Sequence, residues 1–237
     1  MNDDFVLQFT DIQGKIISRT LLQRIRIVFF AAFKQFFDIF FALVGLLISS
    51  PILLVVAIAI KLDSKGPVLF KQERTGKFGK KFILYKFRSM VVENDVHDFK
   101  SQDKHTKVGK IIRKTSLDEL PQLLNILKRD MSFIGPRPWI HDYYENMNET
   151  QKHRCDVRPG LTGLAQCNGR NDITIFDKIN YDLTYIKNYS LKQDISIIFL
   201  TIKSVFSQKG ADAGKSTIQQ EINALKKQNN KKTKRVS

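Results

Sequence analysis

Residues 36–60, FFDIFFALVGLLISSPILLVVAIAI, form a 25-residue apolar run interrupted by one charge, Asp38. The hydrocarbon core of a bilayer takes about 20 apolar helical residues, so the run predicts a membrane-embedded helix. It starts too deep and runs too long for a cleavable leader, and no small-x-small site closes it before the basic stretch from Lys61. Pro51 stands mid-run behind Ser49 and Ser50. A proline there removes a backbone donor and clashes with the carbonyl four residues back, which predicts a kink or break at Ser50-Pro51. Lipid offers no donor to the freed carbonyl, so Ser50 is the expected partner. Cations flank both ends: Arg19, Arg24, Arg26 and Lys34 before, Lys61, Lys65, Lys71, Arg74 and Lys77 after. Positive charge favours the cytoplasmic side, and its presence at both ends points to a re-entrant helix-break-helix; a single spanning helix is the alternative. Residues 16–36 mix Leu, Ile and Phe with basic residues, as a helix lying at headgroup level would, although core packing gives the same pattern.

Beyond Lys61 the patterning is that of a water-soluble domain. Residues 68–72 and 81–88 read as two short strands joined through Gly76 and Gly79, a β-hairpin. Its turn, RTGKFGKK, is neither a P-loop nor GxGxxG. Residues 94–107 are polar and aperiodic, a loop or marginal helix. In 115–128, Leu120, Leu123, Leu124 and Leu127 mark one helical face, with Pro121 near the helix start. Residues 190–207 repeat apolar positions at three and four, an amphipathic helix that packs on the core or docks on a bilayer. The last twelve residues carry six basic groups and no acid, and 210–237 reads as a mobile basic tail drawn to anionic lipid or nucleic acid. The fold expected is mixed α/β and helix-rich: an interfacial extension (1–35), a re-entrant membrane helix (36–60), a small cytosolic catalytic domain with a hairpin and amphipathic interfacial helices (61–209), and the tail.

Composition sharpens the search for a partner. With 39 Lys plus Arg against 23 Asp plus Glu, the formal charge is +16. Such an excess suits nucleic acid, anionic lipid or a phosphorylated substrate. No helix-turn-helix, zinc module or aromatic RNA-binding signature is present, which argues against nucleic acid. Cys155 and Cys167 make no disulfide scaffold, and His97, His105, His141 and His153 have no metal-ligand spacing.

The candidate chemistry lies in an acidic pair among cations. Asp118 and Glu119 open the 115–128 helix, where Ser116-x-x-Glu119 also fits a capping box. Lys86, Arg88, Arg113, Arg137, Arg158 and Arg170 are phosphate-type cations, and prolines on either side limit where Arg137 points. SSP in the apolar run, YKFRSM at 85–90, SLDELPQLLNILKRDMSFIGPRP at 116–138 and VRPGLTGLAQCNGRN at 157–171 closely resemble the bacterial sugar transferases known as monotopic phosphoglycosyl transferases. The resemblance covers roughly residues 34–209, with the motifs in the family's order.

That resemblance implies transfer of a phosphosugar from a UDP-sugar to polyprenyl phosphate, giving polyprenyl-diphosphate sugar and UMP at the cytoplasmic face of the bacterial inner membrane. The step initiates capsule, O-antigen, exopolysaccharide or glycoprotein glycan assembly. It implies Asp118 as nucleophile, Glu119 as the Mg²⁺ ligand, and Arg113, Arg137 and Arg170 as holders of phosphate charge. The re-entrant helix broken at Ser50-Pro51 is implied as well. Neighbouring helical residues point in different directions, so the two carboxylates suit two different partners. Mg²⁺ accepts a few carboxylates plus phosphate and water, consistent with no richer acidic cluster. Two rivals remain: a membrane-anchored basic protein that recruits a partner without catalysis, and a glycosyltransferase that releases UDP.

Overall fold

In a computed structural model, residues 8–10, 16–18, 20–91, 105–169, 173–207 and 217–233 are described. A short antiparallel pair, β1 (Gln8–Thr10) and β2 (Ile16–Ser18), precedes α1 (Leu21–Asp63). The expected hairpin is β3 (Leu69–Thr75) with β4 (Lys81–Phe87). There follow α2 (Lys107–Lys114), a 3-10 turn (Leu117–Gln122), α3 (Leu123–Leu127), β5 (Ser132–Ile134), α4 (His141–Glu145) and α5 (Glu149–Lys152). The chain continues through β6 (Gly160–Thr162), α6 (Leu164–Cys167), α7 (Ile175–Lys187), α8 (Leu191–Ser207) and α9 (Ile218–Thr233). β5 and β6 pair in parallel. The architecture is helix-rich with small two-stranded sheets, as the sequence predicts.

α1 corrects one expectation. The helix does not stop at Ser50-Pro51: all 43 residues from Leu21 to Asp63 are helical, across the 35/36 and 60/61 boundaries expected from sequence. The helix expected over residues 16–36 is present from Leu21 and runs straight on into the apolar segment, while residues 16–18 are a strand. The local reason is that the missing donor of Pro51 orphans only the Leu47 carbonyl, and Ser50 Oγ donates to that oxygen at 2.8 Å. Ser49 Oγ donates to Gly45 O at 2.6 Å. The serine acts as expected, and by doing so it keeps the helix whole.

One stripe of α1 faces protein. Asp38, Ala42, Ser49, Val56 and Ile60 are buried at whole-turn intervals of 4, 7, 7 and 4 residues. Ala42 packs with Leu84, Leu123, Ile126 and Met131, and Val56 and Ile60 pack with Phe87 and Ile112. The opposite face leaves Phe29, Phe33, Phe36, Phe40, Leu47, Ile48, Leu54 and Val55 among those at least 47% exposed, too large an apolar surface to lie in water. Polar contacts hold both ends to the same domain. Lys34 pairs with Asp194, which also accepts from Tyr185 OH at 2.8 Å, and Asp38 Oδ1 accepts from Phe133 N at 3.1 Å. Beyond the proline, Asp63 Oδ2 accepts from Val108 N at 2.9 Å and Arg88 donates to the carbonyls of Ser64 and Lys65.

α8 repeats this inside-out design. Its predicted apolar stripe, Leu191, Ile195, Ile198, Phe199 and Ile202, faces outward at 44–68% exposure, while Asp194 and Ile197 are buried. The C-terminal segment departs from the basic tail expected there. α9 buries Ile222 and Leu225 against Ile140, Tyr143, Met147, Ile175, Ile179 and Leu183, and Glu221 accepts from Tyr143 OH at 2.5 Å. Residues 210–216 and 234–237 lie outside the described residues.

Candidate active site

Three pieces of backbone bring the acidic pair to the hairpin. α3 is fastened to the edge of β4 by Asn125, fully buried, whose Oδ1 accepts from Tyr85 N at 3.0 Å and whose Nδ2 donates to Ile83 O at 2.7 Å. That clamp sets Lys86 opposite the 3-10 turn carrying Asp118 and Glu119. Arg137 is positioned from the other side. Gly160 N donates to Pro136 O and Gly135 N to Thr162 O, both at 2.9 Å, and a Cβ on Gly160 would come within 2.1 Å of Gly135 N. Only glycine permits this approach, which fixes the backbone under Arg137. The Arg137 carbonyl accepts from Arg154, which stacks 3.6 Å over Trp139 and is neutralised by buried Asp182. Trp139 O in turn accepts from Thr75 N at 2.9 Å.

The capping box is absent. Ser116 has φ 57° and ψ 16°, left-handed geometry that a serine rarely adopts, and its side chain makes no cap bond. Released from capping, Glu119 Oε1 accepts from Lys86 Nζ at 2.7 Å and from Arg137 Nη2 at 2.7 Å. The regular helix expected over 115–128 is instead the 3-10 turn followed by α3, with Pro121 within the turn. Successive residues of a 3-10 helix diverge by about 120°, and Asp118 makes no hydrogen bond with the two cations that hold Glu119, although their charge reaches it.

The two carboxylates therefore differ electrically. Burial would raise the pKa of Glu119, but Arg137 and Lys86 outweigh it and hold the group far below the usual carboxylate range. Burial raises Asp118, opposed by Lys86 and Arg113 and assisted by the negative charge of Glu119. Among the described residues none donates a hydrogen bond to the Asp118 carboxylate. Burial lowers Lys86 against the pull of Glu119, whereas Glu119 raises Arg137 against burial. One acid is locked and ionised; its neighbour keeps both oxygens available.

Of the sequence candidates, Lys86, Arg113 and Arg137 act on the pair. α2 supplies Arg113, whose Nη1 lies 3.2 Å from His105 Nε2. Arg88 goes elsewhere: it is 5% exposed and donates to the carbonyls of Ser64 and Lys65 just past the end of α1, where a cation meets the helix C-terminal dipole. Arg158 donates Nε to Arg129 O at 2.8 Å and is not brought to the pair. Arg170 lies outside the described residues. Arg74, read from sequence only as a membrane-flanking cation, shares the sheet face of Lys86 and donates to Gln72.

The sequence profile of the bacterial sugar transferases matches residues 29–208, and the chain belongs to that family. It is 46% identical over 194 residues to a galactosyl transferase, CpsE, of Streptococcus agalactiae, covering 75% of this chain and 43% of that protein. It is 44% identical over 179 residues to an uncharacterized sugar transferase, EpsL, of Bacillus subtilis, covering 75% and 89%. A UDP-glucose:undecaprenyl-phosphate glucose-1-phosphate transferase of Klebsiella pneumoniae is 46% identical over 191 residues, covering 76% and 41%. The chain thus spans about two-fifths of the streptococcal and Klebsiella relatives and most of the Bacillus one.

Proposed function

We propose that the protein transfers a phosphosugar from a UDP-sugar to polyprenyl phosphate, releasing UMP, through a covalent intermediate on Asp118. One observation carries the reading: a half-buried carboxylate that accepts no hydrogen bond among the described residues stands beside a carboxylate clamped by two cations. Relatives named as undecaprenyl-phosphate sugar-phosphate transferases support the same reaction.

An Asp118 oxygen attacks the sugar-bearing phosphorus; the bond from that phosphorus to the bridging oxygen breaks, and UMP leaves with the electron pair. An oxygen of polyprenyl phosphate then attacks the same phosphorus and displaces Asp118. Splitting the transfer in two lets donor and acceptor use one site in turn. Lys86, Arg137 and Arg113 meet the charge that develops on the phosphoryl oxygens. The residues fit Mg²⁺ in one respect: both protein contacts to Glu119 fall on Oε1, leaving Oε2 and the Asp118 oxygens as donors beside substrate phosphate. When bound, the ion supplies charge neutralisation of the diphosphate.

α1 seats this site at lipid level. Its protein-facing stripe from Asp38 to Ile60 is about 33 Å long, close to the thickness of a bilayer core, yet both ends bind one domain. A helix crossing the membrane would part those ends. The supported topology is monotopic: the outer faces of α1 and α8 lie in one leaflet of the bacterial inner membrane, among anionic headgroups, and the site faces the cytoplasm. The initiating step of capsule or exopolysaccharide assembly is the fitting role.

The test is to incubate membranes with radiolabelled UDP-sugar, Mg²⁺ and polyprenyl phosphate and to identify the nucleotide released. UMP is expected; UDP, or no turnover across a panel of UDP-sugars, overturns the reading. Cysteines placed before residue 36 and after residue 60 are expected to label from the same side, and labelling from opposite sides would mean a spanning helix.

A further inference from the structure

The strand that leads to Arg137 has a helix side chain where a second neighbouring strand would lie. β5 pairs with β6 along one edge, where Ser132 N donates to Pro159 O at 2.9 Å. The next residue of a strand presents its N–H to the opposite edge, and a buried N–H there must find an acceptor. For Phe133 that acceptor is Asp38 Oδ1 of α1, at 3.1 Å. Ile134 is held as well: Tyr185 OH shares its proton between the Ile134 carbonyl, at 3.3 Å, and Asp194 Oδ1, at 2.8 Å. Asp194 is paired in turn with Lys34, one turn before Asp38 on α1. The helix that seats the protein in lipid thus grips β5 directly through Asp38 and indirectly through Lys34.

Asp38 is a costly choice for this contact. It is the one charge in residues 36–60 and is 8% exposed. An asparagine or serine would satisfy a single N–H without placing a carboxylate in an apolar helix, and an ionisable residue in such a segment marks function and needs partners. Lys34, Lys77 and Arg158 line the small cavity beside it and supply the opposite charge. The way from this contact to the acidic pair is short and stiff. Gly135 N donates to Thr162 O, a Cβ on Gly135 would come within 2.5 Å of Arg158 O, and Pro136 and Pro138 fix the backbone on either side of Arg137. Arg137 Nη2 then donates to Glu119 Oε1 at 2.7 Å. A shift of Phe133 is therefore passed on to Arg137 rather than absorbed between them.

We propose that Asp38 is a positioning residue of the transfer reaction: through Phe133 it sets the strand that aims the Arg137 guanidinium at Glu119 and at the phosphoryl oxygens. The inference rests on the phosphosugar-transfer reading for the role of Arg137. It makes the seat of α1 part of the catalytic geometry.

The test uses the full chain in lipid nanodiscs, as wild type, Asp38→Ala, Asp38→Leu and Asp38→Asn, each alone and combined with Arg137→Gln. Thermal unfolding sets a temperature at which the variants are folded, and kcat and KM for the UDP-sugar are read there from radiolabelled UMP, over hours for slow variants. Asp38→Ala is expected to lower kcat about 10- to 100-fold, the cost of misplacing a catalytic group by about 1 Å, with KM changed far less. In the Arg137→Gln background the same substitution should cost less than about 3-fold, because the group it positions is gone. Asp38→Asn keeps an acceptor for Phe133 N and should fall between wild type and Asp38→Ala. Asp38→Leu fills the volume and suits lipid, so it reports loss of the acceptor where Asp38→Ala does not fold. Wild-type kcat in folded Asp38→Ala or Asp38→Leu, or an equal loss with and without Arg137, overturns the proposal. With neither folded, the comparison is read on Asp38→Asn: a loss that vanishes in the Arg137→Gln background supports the positioning role, and wild-type kcat or an undiminished loss overturns it. Failure of the reaction reading looks different, since wild type itself then releases no UMP.

Discussion

Two arginine clusters sit back to back across the Arg137 backbone. On one side Arg154 is closed: Asp182 takes Nε and Nη2, the Arg137 carbonyl takes Nη2 again, and Trp139 covers the guanidinium face. On the other, Lys86 and Arg137 converge on one clamped carboxylate, Glu119, beside Asp118, to which no described residue donates a hydrogen bond. A cluster in which every charged group is paired holds a fold together. One that leaves a carboxylate without a hydrogen bond waits for a ligand, and this difference separates scaffold from site more reliably than the count of arginines does.

Breaking the closed side should have the largest effect on stability. Arg154→Ala leaves Asp182 buried and unpaired and is expected to cost about 3–5 kcal/mol, read as a large drop in melting temperature, with activity lost along with the fold. On the open side, Glu119→Gln should slow turnover sharply while lowering the melting temperature far less at neutral pH. Its pH dependence carries a sign. The folded-state pKa of Glu119 is depressed, so its contribution is present above the unfolded value, near 4.3, and is lost as pH falls from there toward the folded value. Wild type should therefore lose more stability between pH 5 and pH 3 (about two units) than Glu119→Gln does. Asp118 works the other way: its raised pKa penalises the ionised folded state, and acid relieves that penalty.

A smaller effect sharpens the same contrast. Arg113 lowers the pKa of Asp118, so Arg113→Gln should move the acid limb of the rate profile upward by less than about one pH unit, measured from kcat/KM against pH. The smallest is Ser50→Ala, which leaves the Leu47 carbonyl without its donor and should cost about 1 kcal/mol in thermal unfolding within nanodiscs.

Much of this was legible from spacing. The aromatic and branched residues of 81–88 behind the Gly76 and Gly79 turn located β4 and Lys86, and the repeat in 190–207 located α8. Periodicity marks an apolar face but not what covers it, which is why α8 turns its stripe outward and buries Ile197. The C-terminal segment misled for the opposite reason. Its basic residues dominated the reading, although Ile218, Ile222 and Leu225 at helical spacing carry the packing of α9. Ser116 fits a capping box letter by letter, yet its left-handed backbone breaks the geometry that a cap requires. Arg88 and Arg74 lie in the same hairpin with the same chemistry. Only the register and the end of α1 decide that the first ties down a helix while the second bonds Gln72 within its own strand.

The central claim is that Asp118 itself takes the phosphosugar. The most direct measurement is mass spectrometry of the full-length enzyme in nanodiscs, quenched in acid after mixing with its UDP-sugar and Mg²⁺ but no acceptor, followed by peptide mapping. The account predicts a sugar-phosphate adduct on Asp118 that disappears when polyprenyl phosphate is added, and no adduct in Asp118→Asn. An adduct on any other side chain, or wild-type turnover by Asp118→Asn, would contradict it.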